Sequence, residues 1–274
     1  MIVNSRPVGR SNDMKIPIHS VKMTLLIVMS ALFLNAQGQS SEKLLEEGVA
    51  LEKAFKVQEA LSKFEQILSS DPNHPEALWR ASRMYSNIGG HLKEKSKKAE
   101  SYLKAQTYAQ RAITINPSLV NARFSLIISL GLQAEIASNP REKIRDAKSI
   151  RQEAEQIVKL DSTFVPVYFV LGKWHYELAR LNWLEQMACD FFFGGLPEDV
   201  SMEKAIANFK KASHLDPDNI LFLYGEASVY HYQQQFDLAK VTLERALALS
   251  PREPDDILRK EKCKALYDEL IEDM

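Results

Sequence analysis

DPDNILFLYGEASVYHYQQQFDLAKVTLERALALSP, Asp216 to Pro251, is the stretch whose reading decides the fold. It opens on Asp216-Pro217 and closes on Ser250-Pro251, with the two prolines 34 residues apart. Proline cannot continue a helix and restricts the residue before it, so each pair ends a helical segment. Between them lie Tyr230, Ala239 and Ala246. Small residues let two paired helices approach closely, and an aromatic ring fills the layer to the next pair. The stretch therefore reads as one helical hairpin.

Working outward, the same closing signal appears at Asp71-Pro72, Asn116-Pro117 and Asp161-Ser162. Successive closings are 45, 45, 55 and 34 residues apart. The last is the length of the tetratricopeptide unit, and the others exceed it by 11, 11 and 21 residues. The inner pattern agrees. The first unit carries Gly48, Ala60, Phe64 and Pro72, and the second Tyr85, Ala105, Ala109, Ala112 and Pro117. The fourth carries Leu171, Gly172, Ala205, Phe209, Ala212 and Pro217, while the third lacks the closing proline. The expected fold is all-α: a tetratricopeptide-like superhelix of about five antiparallel helical hairpins, with a C-terminal capping helix and middle hairpins lengthened by insertions.

The insertions fall between the two helices of a unit. Eleven residues make about three helical turns, so a hairpin can lengthen with its apolar face in phase. His91 to Lys98 is expected as the polar crossover of the second hairpin. In the fourth, Asn182 to Ser201 carries Trp183, Phe191, Phe192, Phe193, Gly194-Gly195 and Pro197. The glycines and proline are expected to break the unit's first helix. Ser201 is expected to cap the next one, with Asp199 competing. Residues 255–274 place Ile257, Leu258, Leu266, Leu270 and Ile271 on a helical period, as the capping helix should.

Composition fits helices: only 10 glycines and 11 prolines in 274 residues leave little for the turns of a β fold. The net charge is -1, and it becomes −4 without the first 38 residues, which hold four basic side chains and one acidic. Such a surface is a poor start for a phosphate-backbone binder. Cys189 and Cys263 show no metal spacing and read as free thiols, with a disulfide between them open only if the fold brings their Cα atoms within about 7 Å. The apolar run Thr24 to Leu34 follows Lys15 and Lys22 and precedes Asn35, Ala36, Gln37 and Gly38. That is the order of a secretory signal peptide, so 1–38 is assigned as the signal, with a possible true start at Met14, and 39–274 as the repeat domain. The run is short of the roughly 20 residues that span a bilayer. The expected location is periplasmic or secreted. A retained membrane anchor and a mitochondrial presequence are the alternatives.

Three stretches carry a more specific likeness: EALWRASRMY (76–85), LGKWHYELARLNWLEQ (171–186) and FFFGGLPEDVSMEKAIANFKKASHLDPDN (191–219). They resemble the regulator of microtubule dynamics family, over roughly Gly48 to Pro251, and Leu171 to Asn219 is the most specific part. The resemblance implies a tetratricopeptide protein with lengthened hairpins. Animal members are associated, as binding proteins, with microtubules and organelle contacts, and the family has bacterial relatives.

No phosphate-binding loop, zinc helix or nucleophile elbow occurs, and the six histidines do not cluster. The expectation is a non-enzymatic scaffold or adaptor without cofactor or metal, binding a peptide or protein partner. Readings as a glycan or small-ligand carrier, or as a eukaryotic organelle-associated protein, stand beside it. First helices line the concave face of such a superhelix. Register counting places an aromatic at one recurring position there: Trp79, Phe124, Phe169 and Tyr224. Arg83, Asn87, Lys173, Tyr176, Ser228 and His231 follow one or two turns on. These residues are the candidate groove. The same aromatics would equally serve as packing between helices. Phe191, Phe192 and Phe193 form a candidate hydrophobic contact patch or an interior plug.

Overall fold

The computed structural model describes residues 41–193, Gly195 and 197–273. The expectations for the signal segment 1–38, and for the side chains of Phe191, Phe192 and Phe193, lie outside what it describes. Among the described residues there are twelve helices. They are α1 (41–53), α2 (Val57–Ser70), α3 (Pro75–His91), α4 (Lys95–Ile115), α5 (Val120–Ile136) and α6 (Pro140–Leu160). Then follow α7 (Pro166–Ala179), α8 (Trp183–Phe193), α9 (Met202–Leu215), α10 (Ile220–Tyr232), α11 (Phe236–Ala248) and α12 (Asp255–Asp273). The hairpins are α1/α2, α3/α4, α5/α6, α7/α9 and α10/α11. Helix α12 lies on α10 and α11. Five hairpins and a cap match the repeat reading.

The close approaches fall where the small residues are. A Cβ on Gly48 would lie 2.5 Å from the Phe64 ring, and one on Gly89 would lie 2.5 Å from the Tyr102 ring. Ala60, Ala105, Ala109, Ala112, Ala205, Ala239 and Ala246 are fully buried. The unit ends share one device. The amides of Asp71, Asn116, Asp161 and Asp216 donate back to Ile67, Ala112, Ile157 and Ala212. At three of these ends the Asp or Asn side chain also accepts an amide two residues on: Asn73, Ser118 and Thr163. Asp161 therefore closes the third unit without a proline, helped by the Thr163 hydroxyl at 2.6 Å.

The lengthening is helical. Helices α3 and α5 have 17 residues and α4 and α6 have 21, against 13 each for α10 and α11. The second crossover is shorter than expected, only Leu92 to Glu94, with Lys95 to Lys98 forming the first turn of α4. His91 to Lys98 contains no glycine or proline, and its lysines are good helix formers.

The fourth unit departs from expectation in where it breaks. Helix α7 ends at Ala179, well before Gly194-Gly195, and the inserted residues make a helix of their own. Asn182 and Glu185 start it by reciprocal capping: the Glu185 amide donates to Asn182 Oδ1 at 3.0 Å, and the Asn182 amide to Glu185 Oε2 at 2.9 Å. Gly195, at φ +91, follows the end of α8, not α7. Ser201 does cap α9, accepting the Lys204 amide at 3.1 Å.

The cap is apolar on one face only. Cys263 and Leu270 are buried and Leu266 packs beside them. Ile257, Leu258 and Ile271, expected to share that face, are exposed. Cys189 and Cys263 are free and buried, and burial pushes the Cys263 thiol up to about 11.

Candidate functional site

The recurring aromatics turn mainly into the joints between units. Trp79 is only 5% exposed and sits among Ala109, Ala112, Ala122 and Leu126, so it is core rather than groove. The Arg80 guanidinium stacks on its ring at 4.4 Å. Phe124 is half-buried, edge-on to Phe164 with centroids 5.1 Å apart. Phe169 is half-buried between Phe209 and Phe222, at 5.5 and 5.7 Å. Tyr224 packs half-buried against the last core cluster. Rings in such offset and edge arrangements bind one another well and leave little face for a ligand.

Their polar companions tie successive first helices together. Arg83 and Arg80 of α3 reach Glu52 of α1 at 3.5 and 2.5 Å. Asn87 lies half-buried one turn beyond Arg83. Lys173 of α7 reaches Glu135 of α5 at 3.4 Å, and both are well exposed. The Tyr176 hydroxyl donates to the Ser228 carbonyl at 3.2 Å, joining α7 to α10. Burial pushes the Tyr176 phenol up. His231 packs half-buried against Phe236, with ring centroids 6.0 Å apart.

One cluster emerges at the α7–α10 seam. Tyr176 and Tyr232 meet edge to face at 6.0 Å. Arg180 lies over both rings, at 4.7 and 5.3 Å. It is exposed, and none of the ion pairs among the described residues involves it. A guanidinium held on ring faces keeps its charge and its hydrogen-bonding edge for a carboxylate. Arg180 and Tyr232 escaped the register count. The signal for Arg180 was its i+4 spacing from Tyr176, and Tyr232 directly follows His231. Arg83 and Asn87 belong to the second unit and are not part of this cluster.

The bridge into the fourth unit is held by a second knot. Asp199 takes a two-pronged bond from Arg151 of α6, at 2.6 and 2.8 Å, and one from Lys204 at 2.8 Å. Arg151 also stacks on Trp174 at 4.7 Å, and the Trp174 indole donates to the Ala147 carbonyl at 2.9 Å. His175 is buried beside them, and burial lowers its basicity. It packs edge-on to Trp174. Among the described residues no group of three or more His, Cys, Asp or Glu could hold a metal, and no helix is long and apolar enough to cross a membrane.

Comparison with known proteins locates this architecture. A thermophilic TPR protein from Thermus thermophilus superposes with a TM-score of 0.61 over 82% of this chain and 99% of its own, at 18% identity. That likeness speaks for the fold alone. Regulator of microtubule dynamics protein 1 of Caenorhabditis elegans is 23% identical over 194 residues, 70% of this chain and 83% of its own length. Regulator of microtubule dynamics protein 3 of Mus musculus is 26% identical over 140 residues, 51% of this chain but only 29% of its own. The family profile described as Regulator of microtubule dynamics protein 1-3 matches residues 44–271, which takes in the five hairpins but for the first three residues of α1, and nearly all of the cap. With its stretched hairpins and bridge helix inside that match, the chain belongs to the regulator of microtubule dynamics family.

Proposed function

We propose that this protein is a non-enzymatic adaptor that acts in the cell envelope after export, and that it holds an extended peptide segment of a partner protein along its first helices. The observation that carries the reading is Arg180, aligned by Tyr176 and Tyr232 and unpaired with any carboxylate among the described residues. A peptide carboxylate meets an oriented guanidinium there, and Lys173 lies about 10 Å away along the helix for a second acidic group. The TPR-like fold supports a protein or peptide ligand.

The test is recovery of partners by crosslinking from envelope extracts. A partner held by the wild type should be lost with Arg180→Glu, and weakened about tenfold or more by Arg180→Ala, as for an interface arginine anchor. Binding indifferent to both changes would sink the reading. N-terminal sequencing of the mature protein should find a start near Gln39. Family membership favours a second reading, a microtubule-linked partner in a eukaryotic cell. Co-sedimentation with polymerised tubulin, combined with an intact N-terminus, would decide for it.

A further inference from the structure

The surface formed by second helices carries two recesses that occupy the same place in the repeat. One, of about 620 Å³, opens between α4 and α6 over Leu126 and Leu130 of α5. The other, of about 840 Å³, lies between α9 and α11 over Glu226 of α10. Counting back from the closing prolines, Gln110, Arg111 and Thr114 in the first hold the positions of Lys210, Lys211 and His214 in the second. Position for position, the second recess is the basic one. It also has Arg245 on its opposite wall.

The three cations there are anchored by neutral groups. Lys210 lies over the Tyr230 ring at 5.3 Å and Lys211 over the Tyr168 ring at 3.9 Å. Arg245 donates to the Pro217 carbonyl at 2.9 Å. Arg80, Arg151 and Arg252 by contrast pair with carboxylates, while Arg111 in the sister recess donates to the Pro72 carbonyl at 2.6 Å. A cation resting on a ring face or a carbonyl is oriented without being neutralised. The one acid among the described residues that line the recess, Glu226, accepts from Ser213 at 2.6 Å and from Tyr230 at 3.2 Å, and its charge also acts on Lys210, so the walls set three cations against one carboxylate. Lys210, Lys211, His214 and Arg245 are all exposed.

We propose that the groove between α9 and α11 is a second docking surface, distinct from the Arg180 cluster, and that it takes an extended acidic segment of a partner protein. The geometry favours a chain over a compact anion. Lys210 and His214 are one turn apart, about 6 Å along α9. In an extended chain, side chains on the same side recur about every 7 Å, and alternate ones point the other way. Two acidic side chains of such a segment would face the α9 wall at Lys210 and His214, with Lys211 beside them, while the one between them faces Arg245. A single phosphate would need donors converging on one point, whereas these cations are tethered to three different groups.

The test is fluorescence polarisation of a labelled oligo-glutamate peptide on the purified chain, with oligo-glutamine as control. The glutamate peptide should bind at physiological salt and the glutamine peptide should not. Lys210→Glu with Lys211→Glu should weaken binding by about tenfold or more, with the helical fold retained by circular dichroism. Arg111→Ala in the sister recess should leave it unchanged, and repeating the measurement in an Arg180→Ala background, where the first site can no longer take acidic groups, should still show binding that the two lysine changes remove. The proposal falls if the double variant binds as the wild type does, or if Arg180→Ala alone abolishes binding. It also falls if the glutamine peptide binds equally, or if inorganic phosphate, charge for charge, displaces the peptide fully.

Discussion

Phe209 is clasped by two glycines from successive units. A Cβ on Gly172 would stand 2.8 to 2.9 Å from three atoms of its ring, and one on Gly225 would stand 2.5 Å from its Cε1. Phe209 is itself buried, so the ring has no room to yield. Gly172→Ala should therefore destabilise the protein by about 1–3 kcal/mol, the ordinary cost of overfilling a packed core. Gly131 is also helical, yet a Cβ there would meet nothing within 4 Å. Gly131→Ala should stabilise by roughly 1 kcal/mol, through helix propensity alone. Urea denaturation of the pair would show shifts of opposite sign, and shifts of the same sign would refute the packing account. Gly172 and Phe209 were legible in the sequence because both sit at repeat positions. Gly131 was not, since nothing local tells a packed glycine from an open one. Asp146 is a different kind of residue. It is 1% exposed, and its Oδ2 is buried without a hydrogen-bond partner. Burial raises its carboxyl above the ordinary value, against a smaller opposing pull from Arg145. The folded state thus keeps its proton to higher pH than the unfolded chain does. Stability must fall as pH rises from the unfolded value, about 3.9, through the raised one. Asp146→Asn should raise the melting temperature at neutral pH, and that gain should vanish near pH 4.

At the scale of the element, the joint between α6 and the α8–α9 turn depends on Asp199. Arg151 and Lys204 hold its carboxyl well below the usual carboxylate range, with hydrogen bonding as the main cause. A depressed folded value gives stability that is present above the unfolded value and lost as pH falls through the folded one. Asp199→Asn should cost about 1 kcal/mol at neutral pH, a modest figure because the pair is partly solvated. The gap between wild type and variant should narrow progressively as pH drops below about 4, and a gap as wide at pH 2 as at pH 7 would contradict this account. Local reading weighed Asp199 only as a cap for α9, because Arg151 lies 48 residues away. The same limit explains the misplaced break in the fourth unit. The glycine pair stands out in the sequence, but the Asn182–Glu185 box starts α8 well before it. Exchanging either residue for alanine should loosen α8 in hydrogen exchange while α7 stays protected.

For the whole molecule, the repeat count was fully legible while the site was only half so, and periodicity explains both. Closings recur in absolute residue numbers, so five units can be counted without error. Which way a side chain faces depends on rotation, and one residue turns a helix by about 100°. Trp79 thus entered the core while Tyr176, at a later position of the same pattern, reached the seam where Arg180 lies. In a quasi-one-dimensional stack each unit is stabilised by its neighbours, so the end of the array needs a cover. Helix α12 supplies it, with Cys263 and Leu270 against Leu223, Leu243 and Ala246. Polar ties fix its start: Arg252 pairs with Asp216 at 2.9 Å, and Lys260 donates to the Leu249 carbonyl at 2.7 Å. Ending the chain after Ser250 would expose that cluster to water. The loss should be local: α10 and α11 should exchange their amides rapidly and the truncated chain should self-associate, while α2 to α4 keep their protection because their own core touches none of these residues. Uniform loss of protection across all five hairpins would instead mean that the units melt as one cooperative body, and that α12 acts as part of a single core and not as a terminal cap.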